Sequence, residues 1–141
     1  MKMRPLLLLA CAYTAFVIYG SLVPLDFHRH PWEEAWTQFR DIRYLNLGIG
    51  SRADWVANIL LFVPLAFLWL PVSWHGKTLF WRISASILVL AACAGLSIGI
   101  EFTQIFFPPR TVSLNDIYAE TLGALIGFLL WWATGASVTR W

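Results

Sequence analysis

A short stretch near the C-terminal end, IEFTQIFFPPRTVSLND, carries side chains suited to proton transfer and anion binding. Glu101 and Asp116 are carboxylic acids, Gln104 is an amide, and Arg110 carries a guanidinium that can hold a carboxylate or phosphate with two parallel hydrogen bonds. Most of their neighbours are aliphatic or aromatic. In a membrane, an ionisable side chain costs at least about 2.5 kcal/mol on insertion scales, so such residues mark a functional-site hypothesis.

The composition indicates that this stretch lies in a membrane. Hydrophobic residues make up 59% of the 141-residue chain and charged residues 13%, about half the charged fraction of a soluble domain. The apolar residues form long blocks, each of which meets the length of about 20 residues that a spanning helix needs. The blocks predict four membrane helices, from about Pro5 to Pro24, Ala53 to Val72, Leu79 to Phe107 and Asp116 to Thr134.

The one sizeable polar segment, DFHRHPWEEAWTQFRDIRYLNLGIGSR, separates the first two blocks. Its aromatic residues Trp32, Trp36, Phe39 and Tyr44 fit a segment that rests on the headgroup layer. We therefore predict one all-α domain over residues 1–141, an integral membrane four-helix bundle with an interfacial segment between helices 1 and 2.

Four spans place both termini on the same side of the membrane. The basic residues divide equally between the two sides, so the positive-inside rule does not decide the orientation alone. All eight acids lie on the other side or near that end of a helix, which leaves the terminal side purely basic. We predict cytoplasmic termini and an outward-facing polar cluster.

Helical spacing gathers the embedded polar residues into three sets. Residues at i, i+4 or i, i+7 share one face of a helix, and each set lies near the outward end of its helix. The sets are Asp54 with Asn58, Ser97 with Glu101 and Gln104, and Asp116 with Glu120.

Arg110 has two interpretations at this point. In a structural one, it pairs with Glu101 or Asp54 and clamps the helices together. In a functional one, it faces the anionic head of a lipid-linked molecule. Other features favour structural roles: Ser113 with Asp116 is a helix-capping pattern, and the stretch GALIG is a small-residue face for close helix packing. The two isolated histidines near residue 29 do not complete a metal-ligand set, so we expect no metal site.

The chain resembles the VanZ-like family of small bacterial membrane proteins from about residue 54 to residue 127. The resemblance rests on DWVANILLFVPLAF, on the spaced polar residues of SIGIEFTQ, and on FFPPRTVSLNDIYAETLGALIG. It points to Asp54, Asn58, Pro64, Glu101, Gln104, Pro109, Arg110, Ser113, Asp116 and Gly123. The chain departs from the family at Glu120, where the family usually carries Asn.

The resemblance implies a multi-pass protein of the bacterial inner membrane, in a family named for a member linked to resistance to the glycopeptide teicoplanin. Our first functional hypothesis is binding of a lipid headgroup or a lipid-linked cell-wall intermediate at the outer leaflet. The predicted ligand-binding residues are Asp54, Asn58, Glu101, Gln104, Arg110, Asp116 and Glu120.

Two other hypotheses stay open. One is a membrane enzyme acting on a lipid-linked phosphate or sugar, with Glu101 as the candidate general acid or base. The other is a structural subunit. We expect no cofactor and no nucleic-acid partner, and the sequence specifies no oligomeric state.

Overall fold

The computed structural model describes residues 3–45, 49–74 and 78–138, and those residues form α-helices joined by short connections. This confirms the all-α prediction. The helices are α1 Met3–Leu22, α2 Trp32–Arg40, α3 Ile49–Trp74, α4 Leu79–Gln104 and α5 Leu114–Val138.

Four of these helices, α1, α3, α4 and α5, are long and apolar enough to cross a membrane. Helices of this kind satisfy their backbone hydrogen bonds internally, which lipid requires. The chain is therefore a multi-pass membrane protein. The predicted boundaries differ by a few residues: α4 ends at Gln104 rather than Phe107, and α5 begins at Leu114. Turns occupy the residues before Pro108 and Pro109, since a helix rarely continues into a proline.

The closest helix pair is α3 with α5, and two glycines of the GALIG stretch lie at the contact. A Cβ atom added at Gly123 would contact the Ile59 carbonyl oxygen and lie 3.0 Å from the Phe62 Cβ. A Cβ atom at Gly127 would contact the Val63 carbonyl oxygen in the same way. The predicted close-packing role of this stretch is confirmed, because any larger residue would push the two backbones apart.

The hydrophobic core lies among the four long helices α1, α3, α4 and α5. It contains residues that are almost fully buried, namely Val17, Phe62, Leu65, Ala66, Leu70, Val89, Cys93, Ile100, Ala124 and Trp131. Polar bonds also join the helices: the Tyr13 hydroxyl donates to the Leu61 carbonyl at 3.0 Å. The indole nitrogen of Trp69 donates to the Thr14 hydroxyl at 3.0 Å. These two bonds fix how α1 lies along α3.

The polar segment between α1 and α3 contains α2, which lies against the end of α4. Trp32, Trp36 and Phe39 surround the ring of Phe102, with ring centroids 5.1, 6.2 and 5.4 Å away. The two tryptophans also remain exposed, at 66% and 48%. An aromatic helix with one packed and one exposed face suits the membrane interface predicted for this segment.

Candidate functional site

A polar pocket lies at one end of the bundle, opposite to the chain termini. There α1 and α4 end, while α3 and α5 begin. Its volume is about 560 Å³, within the usual range for small-molecule sites. The lining residues are Gly20, Ser21, Leu45, Asp54, Ala57, Asn58, Leu61, Gln104, Pro109, Arg110, Thr111 and Asp116. We call this cavity the polar pocket.

Five of the seven predicted ligand-binding residues line the polar pocket. They are Asp54, Asn58, Gln104, Arg110 and Asp116. The other two, Glu101 and Glu120, are each 1% exposed and lie behind its wall. All seven lie at one end of the bundle, and side-chain packing then separated the five that line the cavity from the two that do not.

Arg110 is exposed on the pocket wall. One guanidinium nitrogen, Nη2, donates to the Gly20 carbonyl of α1 at 3.0 Å. Among residues 3–45, 49–74 and 78–138, no carboxylate lies within ion-pair distance of the Arg110 guanidinium. This geometry does not show the clamp in which Arg110 pairs with Glu101 or Asp54. It leaves guanidinium donors facing the pocket.

The start of α5 is held by a network that reaches α3. The Ser113 hydroxyl accepts from the Asp116 backbone N–H at 3.3 Å and donates to the Asp116 carboxylate at 2.8 Å. The first bond is the N-cap half of the predicted capping pattern, whereas the Ser113 backbone N–H donates to Glu101 instead of to Asp116. The other oxygen of the Asp116 carboxylate accepts from the Asn58 amide at 2.7 Å. Asp116 is thereby fixed at the junction of α3, α5 and the polar pocket.

Glu101 occupies the last turn of α4 and is buried. Its Oε2 accepts a hydrogen bond from the backbone N–H of Ser113 at 2.9 Å. Because Ser113 caps α5, this bond ties the end of α4 to the start of α5 and fixes both ends of the loop that carries Arg110. This bond holds the Glu101 carboxyl at the junction of α4 and α5, and Glu101 is not among the residues that line the polar pocket.

Glu120 lies deeper in the bundle, beside Ser97 of α4. In the described part of the chain, the Ser97 hydroxyl and Glu120 Oε2 are buried without a hydrogen-bond partner. The carboxyl groups of Glu101, Asp116 and Glu120 also lie near one another. The inner wall therefore concentrates acidic groups, whereas the outer rim carries Arg110.

Gln104 and Asn115 connect the site to the rest of the chain. The Gln104 amide donates to the Ser21 carbonyl at 2.9 Å, which joins α4 to the end of α1. Asn115 is 1% exposed. It accepts from the Leu45 N–H at 2.7 Å and donates to the Leu45 carbonyl at 3.1 Å. The sequence analysis did not select Asn115. The feature that could have indicated it is an amide side chain inside the first turn of a membrane helix, next to the capping residue.

One of three comparisons with known proteins gives a match. The family model described as VanZ/LLP1 matches residues 6–135, nearly the whole chain. Searches of curated proteins and of solved structures gave no significant match. The family match includes every element that builds the polar pocket, from the end of α1 to the start of α5. The chain is a member of the VanZ/LLP1 family, with the membrane-spanning bundle expected of it.

Proposed function

We propose that this protein binds the phosphate-bearing head of a membrane lipid, or of a lipid-linked cell-wall intermediate, in the polar pocket at the outer leaflet. The observation that carries the proposal is Arg110, an exposed guanidinium on the pocket wall with one backbone partner. Arginine can grip a phosphate through two parallel hydrogen bonds. Arg110 lies in the loop between α4 and α5, and a loop next to spanning helices is at the level of the headgroup region.

The remaining pocket residues suit the uncharged, hydroxyl-rich part of such a head. Asp54, Asn58 and Asp116 present carboxylate and amide groups along one wall, and such groups accept hydrogen bonds from hydroxyls. Asn58 and Asp116 are already held by each other, so they are preorganised. A preorganised site loses less conformational entropy on binding, which favours affinity.

Binding explains the geometry better than catalysis. The candidate acid–base residue, Glu101, is buried and hydrogen-bonded to the Ser113 backbone rather than to the pocket. A general acid or base must reach the reacting proton directly or through one water. We therefore propose a binding protein of the bacterial envelope, and we extend the proposal to an influence on teicoplanin susceptibility.

The binding test uses purified protein with two probes, decyl phosphate and inorganic phosphate. Arg110→Ala should weaken decyl phosphate binding by about tenfold to a hundredfold, because charge-assisted hydrogen bonds contribute about 1.5–3 kcal/mol. Arg110→Lys should lose nearly as much, since an ammonium lacks the planar fork. The control is Arg29→Ala, an exposed arginine outside the pocket, which should bind like the parent.

The outcomes separate the alternatives. Parent-like binding by Arg110→Ala would refute a phosphate site at this residue. Equal affinity for inorganic phosphate and decyl phosphate would show an anion site without lipid selectivity. In cells, the parent and Arg110→Ala are compared for susceptibility to teicoplanin and to vancomycin. Identical teicoplanin susceptibility would remove the proposed influence on this antibiotic.

A further inference from the structure

A second cavity lies deeper in the bundle, between the same three helices that supply most of the polar pocket's wall. Its volume is about 400 Å³, and it opens among α1, α3 and α4. Its walls include Thr14 from α1, Leu65 and Trp69 from α3, and Ala92 and Leu96 from α4. We call it the apolar groove.

The groove offers hydrocarbon surface rather than free polar groups. Its two hydroxyls and its indole are already hydrogen-bonded: Trp69 donates to the Thr14 hydroxyl at 3.0 Å. Thr14 in turn donates to the Ala10 carbonyl, and the Ser73 hydroxyl donates to the Trp69 carbonyl. With these donors satisfied, the surface that remains for an occupant is aliphatic and aromatic.

The groove lies farther along the same helices than the polar pocket. Leu61 lines the pocket and Leu65 lines the groove, four residues and about 6 Å apart on one face of α3. On α4 the step from Gln104 to Leu96 is about 12 Å. Along α3 and α4, the polar pocket therefore comes first and the apolar groove second, which is the order of the polar head and the hydrocarbon chain in an amphiphile.

We infer that the apolar groove holds a single long hydrocarbon chain of the same lipid whose phosphate lies in the polar pocket. This inference rests on the proposed function and specifies its ligand class. The distance along α3 from Leu61, in the polar pocket, to Ser73, at the far end of the groove, is about 18 Å. An extended chain advances about 1.2 Å per bond, so the occupant needs about 15 bonds beyond its head. One leaflet is about 15 Å deep, so this chain passes the bilayer midplane.

Two neighbouring alanines on α4 provide a matched pair of variants. Both are exposed, but Ala92 lines the groove and Ala91 does not. Ala92→Phe should fill the groove, whereas Ala91→Phe adds the same ring elsewhere on the helix. The probes are decyl phosphate, whose chain ends before the far end of the groove, and octadecyl phosphate, whose chain fills it.

The parent should bind octadecyl phosphate more tightly than decyl phosphate. Ala92→Phe should weaken octadecyl phosphate binding by about tenfold or more, the effect of losing the burial of about two methylenes. It should leave decyl phosphate binding within about twofold, and Ala91→Phe should match the parent with both probes. Equal effects of Ala91→Phe and Ala92→Phe on octadecyl phosphate would overturn the inference.

A second measurement does not depend on the variants folding alike. Octadecyl phosphate carrying a mid-chain diazirine is irradiated with the parent protein, and the labelled peptides are identified by mass spectrometry. We expect labelling concentrated on residues 65–73 and 88–96; labelling spread evenly over all lipid-facing helices would overturn the inference. If Arg110→Ala loses octadecyl phosphate binding and the parent is labelled at the groove, both the phosphate site and the chain site are supported. If Arg110→Ala binds octadecyl phosphate like the parent, the phosphate site at Arg110 is refuted, and the labelling of the parent still tests the chain site.

Discussion

The contact between α3 and α5 gives a prediction about how helix packing supports the polar pocket. Gly123→Ala places a methyl group against the Ile59 carbonyl and within 3.0 Å of the Phe62 Cβ. A backbone carbonyl in a helix cannot rotate away, so the helices themselves must separate. This separation should stretch the hydrogen bond from Asn58 to Asp116, which joins the same two helices. Asn58 directly precedes Ile59 on α3, and Asp116 lies about two turns before Gly123 on α5.

Two terms of opposite sign set the size of the effect. Inserting a methyl group into a close-packed contact costs about 1–3 kcal/mol. Alanine also favours a helix over glycine by up to about 1 kcal/mol. Gly99→Ala on α4 isolates the second term, because nothing lies within 4 Å of its added Cβ. The difference between the two variants should therefore be about 1–3 kcal/mol of unfolding free energy, with Gly123→Ala less stable.

The assay is thermal unfolding of the purified proteins in one detergent, together with decyl phosphate binding. At about 2–4 °C per kcal/mol, Gly123→Ala should melt at least about 2 °C below Gly99→Ala. It should also bind decyl phosphate more weakly than Gly99→Ala. Equal melting temperatures for the two variants would refute the reasoning. A lower melting temperature with unchanged binding would separate packing from the geometry of the pocket.

Further predictions concern the buried polar residues and the orientation. Glu101→Gln keeps an oxygen acceptor for the Ser113 N–H, so it should retain at least about half of the parent's decyl phosphate affinity; a much larger loss would show that its charge is required. Glu120→Asn removes a buried acid with an unpartnered oxygen and should raise the melting temperature, and a fall would contradict that view. Asn115→Ala loses two hydrogen bonds to Leu45 and should cost about 1–3 kcal/mol of stability, measured by the same unfolding assay. With both native cysteines replaced, an impermeant thiol reagent should label Thr111→Cys on intact cells but Thr78→Cys only after lysis; the reverse pattern would place the polar pocket in the cytoplasm.

The sequence by itself determined the class of structure and the end of the bundle at which polar groups meet. Hydrophobic length predicted the four spans, because lipid admits only segments that satisfy their own backbone hydrogen bonds. Helical spacing placed Asp54 with Asn58 and Asp116 with Glu120, because residues four apart share a face. The capping pattern of Ser113 with Asp116 was also predictable, since both partners lie within four residues of each other.

The tertiary structure decided which of these groups face the polar pocket and which are buried. Spacing along one helix does not fix how far that helix is rotated toward its neighbours, so it could not show that Glu101 turns to the Ser113 N–H. Helical spacing also could not identify hydrogen-bond partners that are distant in the chain. Gln104 and Arg110 bind carbonyls at the end of α1, at separations of 83 and 90 residues. Asn115 binds Leu45 across 70 residues. Such bonds depend on which helix ends are packed together, a property of the folded bundle rather than of any single segment.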